Sequence, residues 1–366
     1  MKLQNCTLDE FAKRYKTRKL ILFGASEMPK EMFEEYPEYH FETYIEYFVD
    51  NSVEKQGKKY ELNGWSFDIL PPQYLVEHMD NRMLVITSKY YPDIYEQLQE
   101  IPELDDKECY IWCFMAPQYK SDGGLAAKIR QLSGPGQAIP KKIHYFWFGN
   151  NPVPELEQRC IDSWKQIMPD YEIILWDENN YDISKHPYMK QAYEAKKWGF
   201  VPDYARLDII YQYGGICLDT DVEVVRRFDD LLGLNAFAGF ESKKLVNLGL
   251  GFGAIRGSRT VQLLRDDYDR YQFTSSDGIY NETASPFIQT GLLRKYGLEN
   301  NNQIQQIGDM VILPAECFSP DNNLIPHVTE NTYSIHHFSG SWVTGKNKEL
   351  LTRLRSFKEK ADIAAN

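Results

Sequence analysis

YQYGGICLDTDVE, residues 211–223, places a Gly-Gly turn ahead of a short apolar strand that runs into Asp219-Thr220-Asp221. Side chains two residues apart on extended chain point the same way, so the two carboxylates form a small anionic claw. Hard oxygen donors of this kind suit a divalent cation, and a divalent cation suits a diphosphate. An Asp pair at a strand end is common in loops; its weight here comes from its surroundings.

Immediately upstream, FVPDYARLDIIYQYGG (residues 200–215) reads as a helix with Pro202 near its start and a glycine stop. Asp203 and Arg206 lie one turn apart on it and share a face. Such a pair is either an ordinary surface ion pair or a grip for sugar hydroxyls and phosphate, and the adjacent D-x-D favours the grip. Further upstream, IHYFWFG is an aromatic strand closed by Gly149. Tyr145 and Trp147 alternate with Phe146 and Phe148, so one pair faces the core, and Trp147 at the strand end is expected to reach a nucleotide.

Downstream, AFAGFE and GLGFGAIRGS read as strands, SRTVQLLRDDYDRYQ and SPFIQTGLLRKYG as helices, with closing strands near Val311 and Tyr333. Together, residues 139–345 predict one α/β domain. Near its end, SIHHFSGSW carries adjacent His336 and His337. Neighbours on a strand face opposite sides, so one of the two joins Asp219 and Asp221 in a set compatible with Mn²⁺; the sequence does not choose between them. Ser341 and Trp342 follow, as hydroxyl and indole donors for phosphate oxygens or, alternatively, with the Trp packed in the core.

Residues 1–120 alternate strand and helix signals again, from KLILFGAS through YIEYFVDNS and RMLVITS to CYIWCF, which predicts a parallel, doubly wound sheet. KKYELNGWSF within it is a strand or hairpin. The turn after the first strand has Gly24 but lacks two of the three glycines of G-x-G-x-x-G. Asp50 ends the second strand, where a ribose-binding acid lies in dinucleotide folds. A structural or docking role is favoured over nucleotide binding. The region resembles the small Rossmann-like domains found ahead of sugar-modifying enzymes in bacterial polysaccharide pathways. Residues 121–138, rich in Gly and Pro, read as a linker with one helical turn around Leu125 to Leu132. Residues 346–366 form a basic amphipathic helix with Leu350, Leu351, Leu354 and Phe357 on one stripe. Docking of that stripe on the protein itself is expected, with peripheral membrane contact as the alternative.

In this order, KIHYFWFG, FVPDYARLDIIYQYGG, Asp219/Asp221 and SIHHFSGSW resemble glycosyltransferase family 32, the DXD sugar-binding family, from Ile139 to Gly345. The resemblance implies a GT-A type domain, a UDP-linked nucleotide-sugar donor, Mn²⁺ (or Mg²⁺), a saccharide or lipid-linked saccharide acceptor, and retention of configuration. It also implies a place in bacterial capsular or cell-surface polysaccharide synthesis. It assigns Asp203 and Arg206 to the donor sugar and Asp221 to the metal. Asp219 falls to the ribose or sugar with reach to the metal, Trp147 to the uracil, and Ser341 and Trp342 to closure over the diphosphate. Cys217 departs from the aromatic that many relatives carry two residues before the first Asp, and Ala284-Ser285-Pro286 from their T-G-P, leaving Asn281 and Glu282 as acceptor-side candidates. No residue claims a nucleophile role, which favours a same-face route in which the leaving phosphate accepts the acceptor's proton.

Composition bounds these readings. A chain of 366 residues favours two domains, and 14% aromatics, with 25 Tyr, suit sugar or base stacking or a Tyr-rich core. A net charge of −12 argues against general nucleic-acid binding. The six cysteines are scattered; Cys109 and Cys113 in CYIWC are expected on one face of a strand, as free thiols. No signal peptide and no run near the roughly 20 apolar residues of a membrane span stand out, so a cytoplasmic, at most membrane-associated, protein is expected. The sequons at Asn5 and Asn281 are then accidental. The rival readings are a catalytically degenerate scaffold of a polysaccharide pathway and an NAD-dependent oxidoreductase, the latter poor because the glycines are missing.

Overall fold

A computed structural model of the chain describes all residues except 5, 116–123, 136–137, 242–244, 321–327, 341–342, 344–347, 355 and 358–366. Two compact units emerge, one built on Met1–Tyr119 and joined by the chain from Thr344, the other on Lys120–Pro320 and Val328–Val343. Both are mixed α/β with parallel strand pairs.

The first unit has a seven-stranded sheet. Lys2–Leu3, Glu108–Ile111, Arg82–Ile86, Lys19–Phe23, Ile45–Val49 and Trp65–Leu70 lie side by side in that order, all parallel. Lys59–Leu62 adds an antiparallel edge. The hairpin reading of KKYELNGWSF holds because Asn63 and Gly64 both take positive φ, as a two-residue turn requires. Both faces of the sheet are buried: Leu20, Leu22 and Phe48 enter one apolar cluster, Ile21, Phe23 and Val49 the other. That is why these strands read as continuous apolar runs rather than alternating ones.

Two expectations need revision in detail, and a third is met. The N-terminal stretch, read only as charged, supplies the strand Lys2–Leu3 and the helix Leu8–Tyr15, closed by a capping box between Thr7 and Glu10. CYIWC is not one strand: Cys109 is buried in the sheet, whereas Cys113 sits in a 3-10 turn, its sulfur against Met28. All six cysteines are free. Finally, the helical residues 348–354 bring Leu354, with Phe357 just beyond, onto the first unit's core. Phe357 meets Tyr91, Tyr95 and Phe114 edge-on or stacked, and Arg353 pairs with Asp93 and Glu96. Self-docking, not a lipid surface, occupies that part of the apolar stripe.

The second unit's main sheet has eight strands. Glu172–Trp176, Lys142–Phe146 and Gly215–Cys217 run parallel; Phe252–Ala254 and Ala236–Phe240 continue antiparallel, followed by Met310–Leu313 and Gln305–Ile307, and Val246–Asn247 pairs with Ala236–Phe240 off this path. A separate ribbon pairs Val222–Val224 with Ser334–His336. The helix Leu125–Leu132 is longer than the single turn read in the Gly/Pro-rich stretch and buries Leu125 and Ile129 in this unit's core. Burial of two such side chains is worth about 1.5–3 kcal/mol each, more than a loose connector would supply.

Candidate active site

The site is assembled at the carboxyl end of Gly215–Cys217. The helix Val201–Tyr213 leads to it and is buried on nearly every side, including Asp203, Arg206 and Asp208. Its handover to the strand needs two glycines with positive φ: a Cβ at Gly214 would lie 2.9 Å from the Arg256 nitrogen, and one at Gly215 2.9 Å from the Lys142 carbonyl. His144 closes the same corner. Its Nε2 meets the Gly214 carbonyl at 3.0 Å and its Nδ1 accepts from Trp176 at 3.0 Å. Burial pushes its pKa down to about 4, so it serves as a neutral bracket.

Beyond Asp221 the chain is clamped from two sides. Buried Trp164 donates its indole N–H to the Val222 carbonyl at 2.6 Å, and the Val224 N–H donates to Ser163 Oγ at 2.9 Å. On the other edge, Val222 is in register with His336. The register settles which histidine joins the acids. His336 Nε2 lies 3.1 Å from Asp221 Oδ1, while His337 turns away to Glu223 at 2.8 Å. Phe338 takes a positive φ of 47°, and the turn it makes delivers the Ser339 N–H to Asp221 Oδ2 at 2.6 Å. Ligand atoms of Asp219, Asp221 and His336 all fall within 4.8 Å of one another.

Arg206 backs this cluster. Its Nη1 donates to Asp219 Oδ1 at 2.8 Å, and its Nη2 is 3.8 Å from Asp203 Oδ1. The surface ion pair is excluded, since the Asp203 and Arg206 side chains are only 6% and 5% exposed. The guanidinium is thus spent on two carboxylates, and Asp219, one-third exposed, presents the outer face of the pair. Burial works against the Arg206 charge, but Asp219, the Cys217 sulfur and Asp203 outweigh it and raise its pKa. Burial likewise pushes Asp203 up to about 7, against the pull of Arg206 and a hydrogen bond from Ser285. At Asp221, burial is overcome by the charge and hydrogen bond of His336 and the donors of Ser339, which hold the carboxyl well below its usual range. His336 answers in kind: burial disfavours its charge, yet Asp221, Asp219 and Glu241 raise its pKa.

Three carboxylates drawn toward one imidazole create a field that favours a cation. The donors fit one: two carboxylates and a histidine whose Nδ1 is buried without a hydrogen-bond partner. Oxygen and imidazole donors together suit Mn²⁺ better than Mg²⁺.

Trp147 is half-buried, with its indole N–H donated to the Asn151 carbonyl at 2.6 Å; any contact with a base is left to its ring face. Phe146 and Phe148 are the buried pair of that strand. Ser341 and Trp342 lie outside the described residues. Of the acceptor-side candidates, Glu282 pairs with Lys197 and Asn281 accepts from the Thr283 N–H.

Sequence reasoning missed Gly249, where a Cβ would sit 2.2 Å from Asp219 Oδ2. The Gly249 carbonyl accepts the Asp219 N–H at 3.1 Å, and its own N–H donates to Asn247 at 2.7 Å. The signal was the alternating glycines of GLGFGAI, read only as a strand. Ser285, which reaches Asp203, was read only as a departure from a family pattern.

Residues 154–238 match the family model described as a glycosyltransferase sugar-binding region containing a DXD motif. Inositol phosphoceramide mannosyltransferase 3 of Schizosaccharomyces pombe is 35% identical over 27% of this chain and 29% of its own length. Mannosyl phosphorylinositol ceramide synthase SUR1 of Saccharomyces cerevisiae is 30% identical over 42% of this chain and 41% of its own. An uncharacterized glycosyltransferase of Acanthamoeba polyphaga mimivirus is 23% identical over 56% of this chain and 84% of its own. The match thus spans well under half the length of the two fungal relatives. Asp203, Arg206, Asp219 and Asp221 all fall inside the family segment, whereas His336 lies beyond it. Over residues 154–238, then, the chain is similar to glycosyltransferases whose sugar-binding region contains a DXD motif.

Proposed function

We propose that the chain is a metal-dependent, retaining glycosyltransferase of GT-A type that moves a sugar from a UDP-sugar to a saccharide or lipid-linked saccharide acceptor in bacterial capsular or cell-surface polysaccharide synthesis. The convergence of Asp219, Asp221 and His336 behind a buried Arg206 carries the reading. Held by these three side chains, Mn²⁺ would neutralise the charge that develops on the leaving diphosphate. Arg206 fixes the Asp219 rotamer, and Ser339 and His336 fix that of Asp221, so the ligands are set before donor arrives. Asp203, partly protonated near neutral pH, is positioned to hold Arg206 and to meet a sugar hydroxyl as donor or acceptor. Trp147 offers its ring face to the base. A mannosyl donor is the second reading, favoured by the names of the fungal relatives.

The test is a hydrolysis screen of UDP-sugars and GDP-mannose with Mn²⁺, with Mg²⁺ and with EDTA. Turnover of one donor that EDTA abolishes supports the proposal. Turnover unaffected by EDTA removes the metal from it, and a GDP-mannose preference replaces the UDP donor.

A further inference from the structure

The first unit contains a cleft of about 710 Å³ that the transfer reaction does not use. It opens where Lys19–Phe23, Ile45–Val49 and Arg82–Ile86 end, lined among others by Gly24, Asp50, Lys55, Ser88 and Tyr90. In sheet order, Lys19–Phe23 stands between the strand that follows it in the chain and Arg82–Ile86, which returns to its other side. That is the point where chain direction across the sheet reverses, the place at which open parallel sheets bind ligands. Gly24 is required there: φ is +122°, and a Cβ would lie 2.6 Å from the Thr87 carbonyl.

Asp50 is the acid of this cleft. It is buried, and it accepts from Ala25 N–H at 2.9 Å, Ser52 N–H at 2.8 Å and Lys55 Nζ at 3.0 Å. A carboxylate has about four acceptor positions, so one remains for a hydroxyl. Its place at the end of the second strand is that of the group that takes a ribose diol.

The rest of the lining disfavours a pyrophosphate. Glu27 stands at the N-cap of Met28–Glu35 and Glu31 in its first turn, where a phosphate would otherwise meet free N–H groups. Asp93 also lines the cleft. Of the nearby cations, Lys55 is paired with Asp50, Arg353 with Asp93, and Lys30 lies 3.9 Å from Glu27; Lys89 also lines the cleft. Met28, Ile94 and the half-exposed Tyr90 ring supply apolar surface for a base.

We propose that this cleft binds a nucleoside through its ribose diol and base, and excludes the diphosphate of a dinucleotide. The full chain is titrated by calorimetry in EDTA, which silences the metal site of the second unit, with adenosine, uridine, their 2′,3′-dideoxy forms and NAD. One nucleoside should bind at sub-millimolar concentration, its dideoxy form and NAD roughly tenfold or more weakly. Asp50→Asn should weaken the nucleoside by a similar factor, and Glu27→Lys with Glu31→Lys should strengthen NAD relative to it. If Asp50→Asn does not fold, Tyr90→Ala, at an exposed position, takes its place with the same expected direction. Failure of both nucleosides to bind, equal binding of the dideoxy forms, or NAD binding as tightly as the nucleoside overturns the proposal.

Discussion

Asp50 in the first unit and Asp221 in the second both stand just past the end of a sheet strand, yet their surroundings differ in kind. Asp50 faces two backbone N–H groups and a lysine, of which Ser52 and Lys55 lie in its own turn and Ala25 in the turn after Lys19–Phe23. Asp221 shares its space with Asp219 and, through the field at His336, with Glu241; its donors are the N–H and hydroxyl of Ser339 and one imidazole. The first arrangement is neutralised by nearby residues of its own unit. The second keeps a negative surplus that a cation can satisfy. Topological position thus nominates an acid for ligand binding, while the partners within about 4 Å decide what kind of ligand.

The sharpest break of this contrast is Asp221→Asn, which keeps shape and removes charge. Donor turnover is expected to fall by roughly a hundred- to a thousandfold. Because Asp221 is buried against His336, the substitution is not neutral for the fold: stability should drop by about 1–3 kcal/mol, read by urea denaturation beside kinetics. Unchanged turnover would remove Asp221 from the proposed cation site.

Arg206 comes next. Lys lacks the planar fork that reaches Asp219 and Asp203 together, so Arg206→Lys should behave like Arg206→Ala in turnover. Both should also lose about 3 kcal/mol of stability, because buried Asp203 and one-third-exposed Asp219 lose their partner. Near-normal rates in Arg206→Lys would mean that a single point charge suffices.

A pH effect follows from Asp203. Its folded pKa, about 7, lies above the ordinary value of 3.8, so the folded state holds a proton that the unfolded chain has released. That contribution is fully present below the ordinary value and is lost as pH rises through 7. The Tm of the wild-type chain should therefore fall over this window relative to Asp203→Asn, which mimics the protonated form. Parallel Tm profiles would show that Asp203 is ionised throughout.

The smallest effect belongs to the first unit. Phe357→Ala removes a half-buried ring from Tyr91 and Phe114 and should cost about 1–2 kcal/mol, with donor turnover per folded molecule unchanged. Sedimentation with anionic vesicles checks the same residue: binding weakened by the substitution would return the apolar stripe to a lipid role.

What the sequence made legible was local. Asp219 and Asp221 were legible as a close pair, although a turn closed by the Val222 N–H on the Asp219 carbonyl, not extended chain, brings them together; Asp203 with Arg206 was legible from one helical turn. What stayed hidden depends on partners far away in the chain. The choice of His336 over His337 is made by the register with Val222. The burial of Arg206 is set by a helix covered on nearly every side, and the need for Gly249 by a 2.2 Å approach to Asp219. The helix Leu125–Leu132 was masked for another reason: flanking Gly and Pro suggested a seam, although its own Leu125 and Ile129 have the spacing of a buried face. The strand-helix alternation of the first unit was readable from Lys19 onward, whereas its cleft was not, because a cleft is the space between strand ends.

The ribbon that joins Val222–Val224 to Ser334–His336 also sets a timetable. Asp221 and the Ser339 amide that grips it are 118 residues apart, so a chain emerging from the ribosome displays both carboxylates long before the imidazole arrives. Translation is slow on the scale of local folding, at about 5–20 residues per second. The nascent second unit therefore passes through seconds in which its sheet can form while its cation affinity is that of a bare acidic turn. The proposed cation set of Asp219, Asp221 and His336 is complete only once the ribbon pairs, so cation capture at this site would report closure of the ribbon.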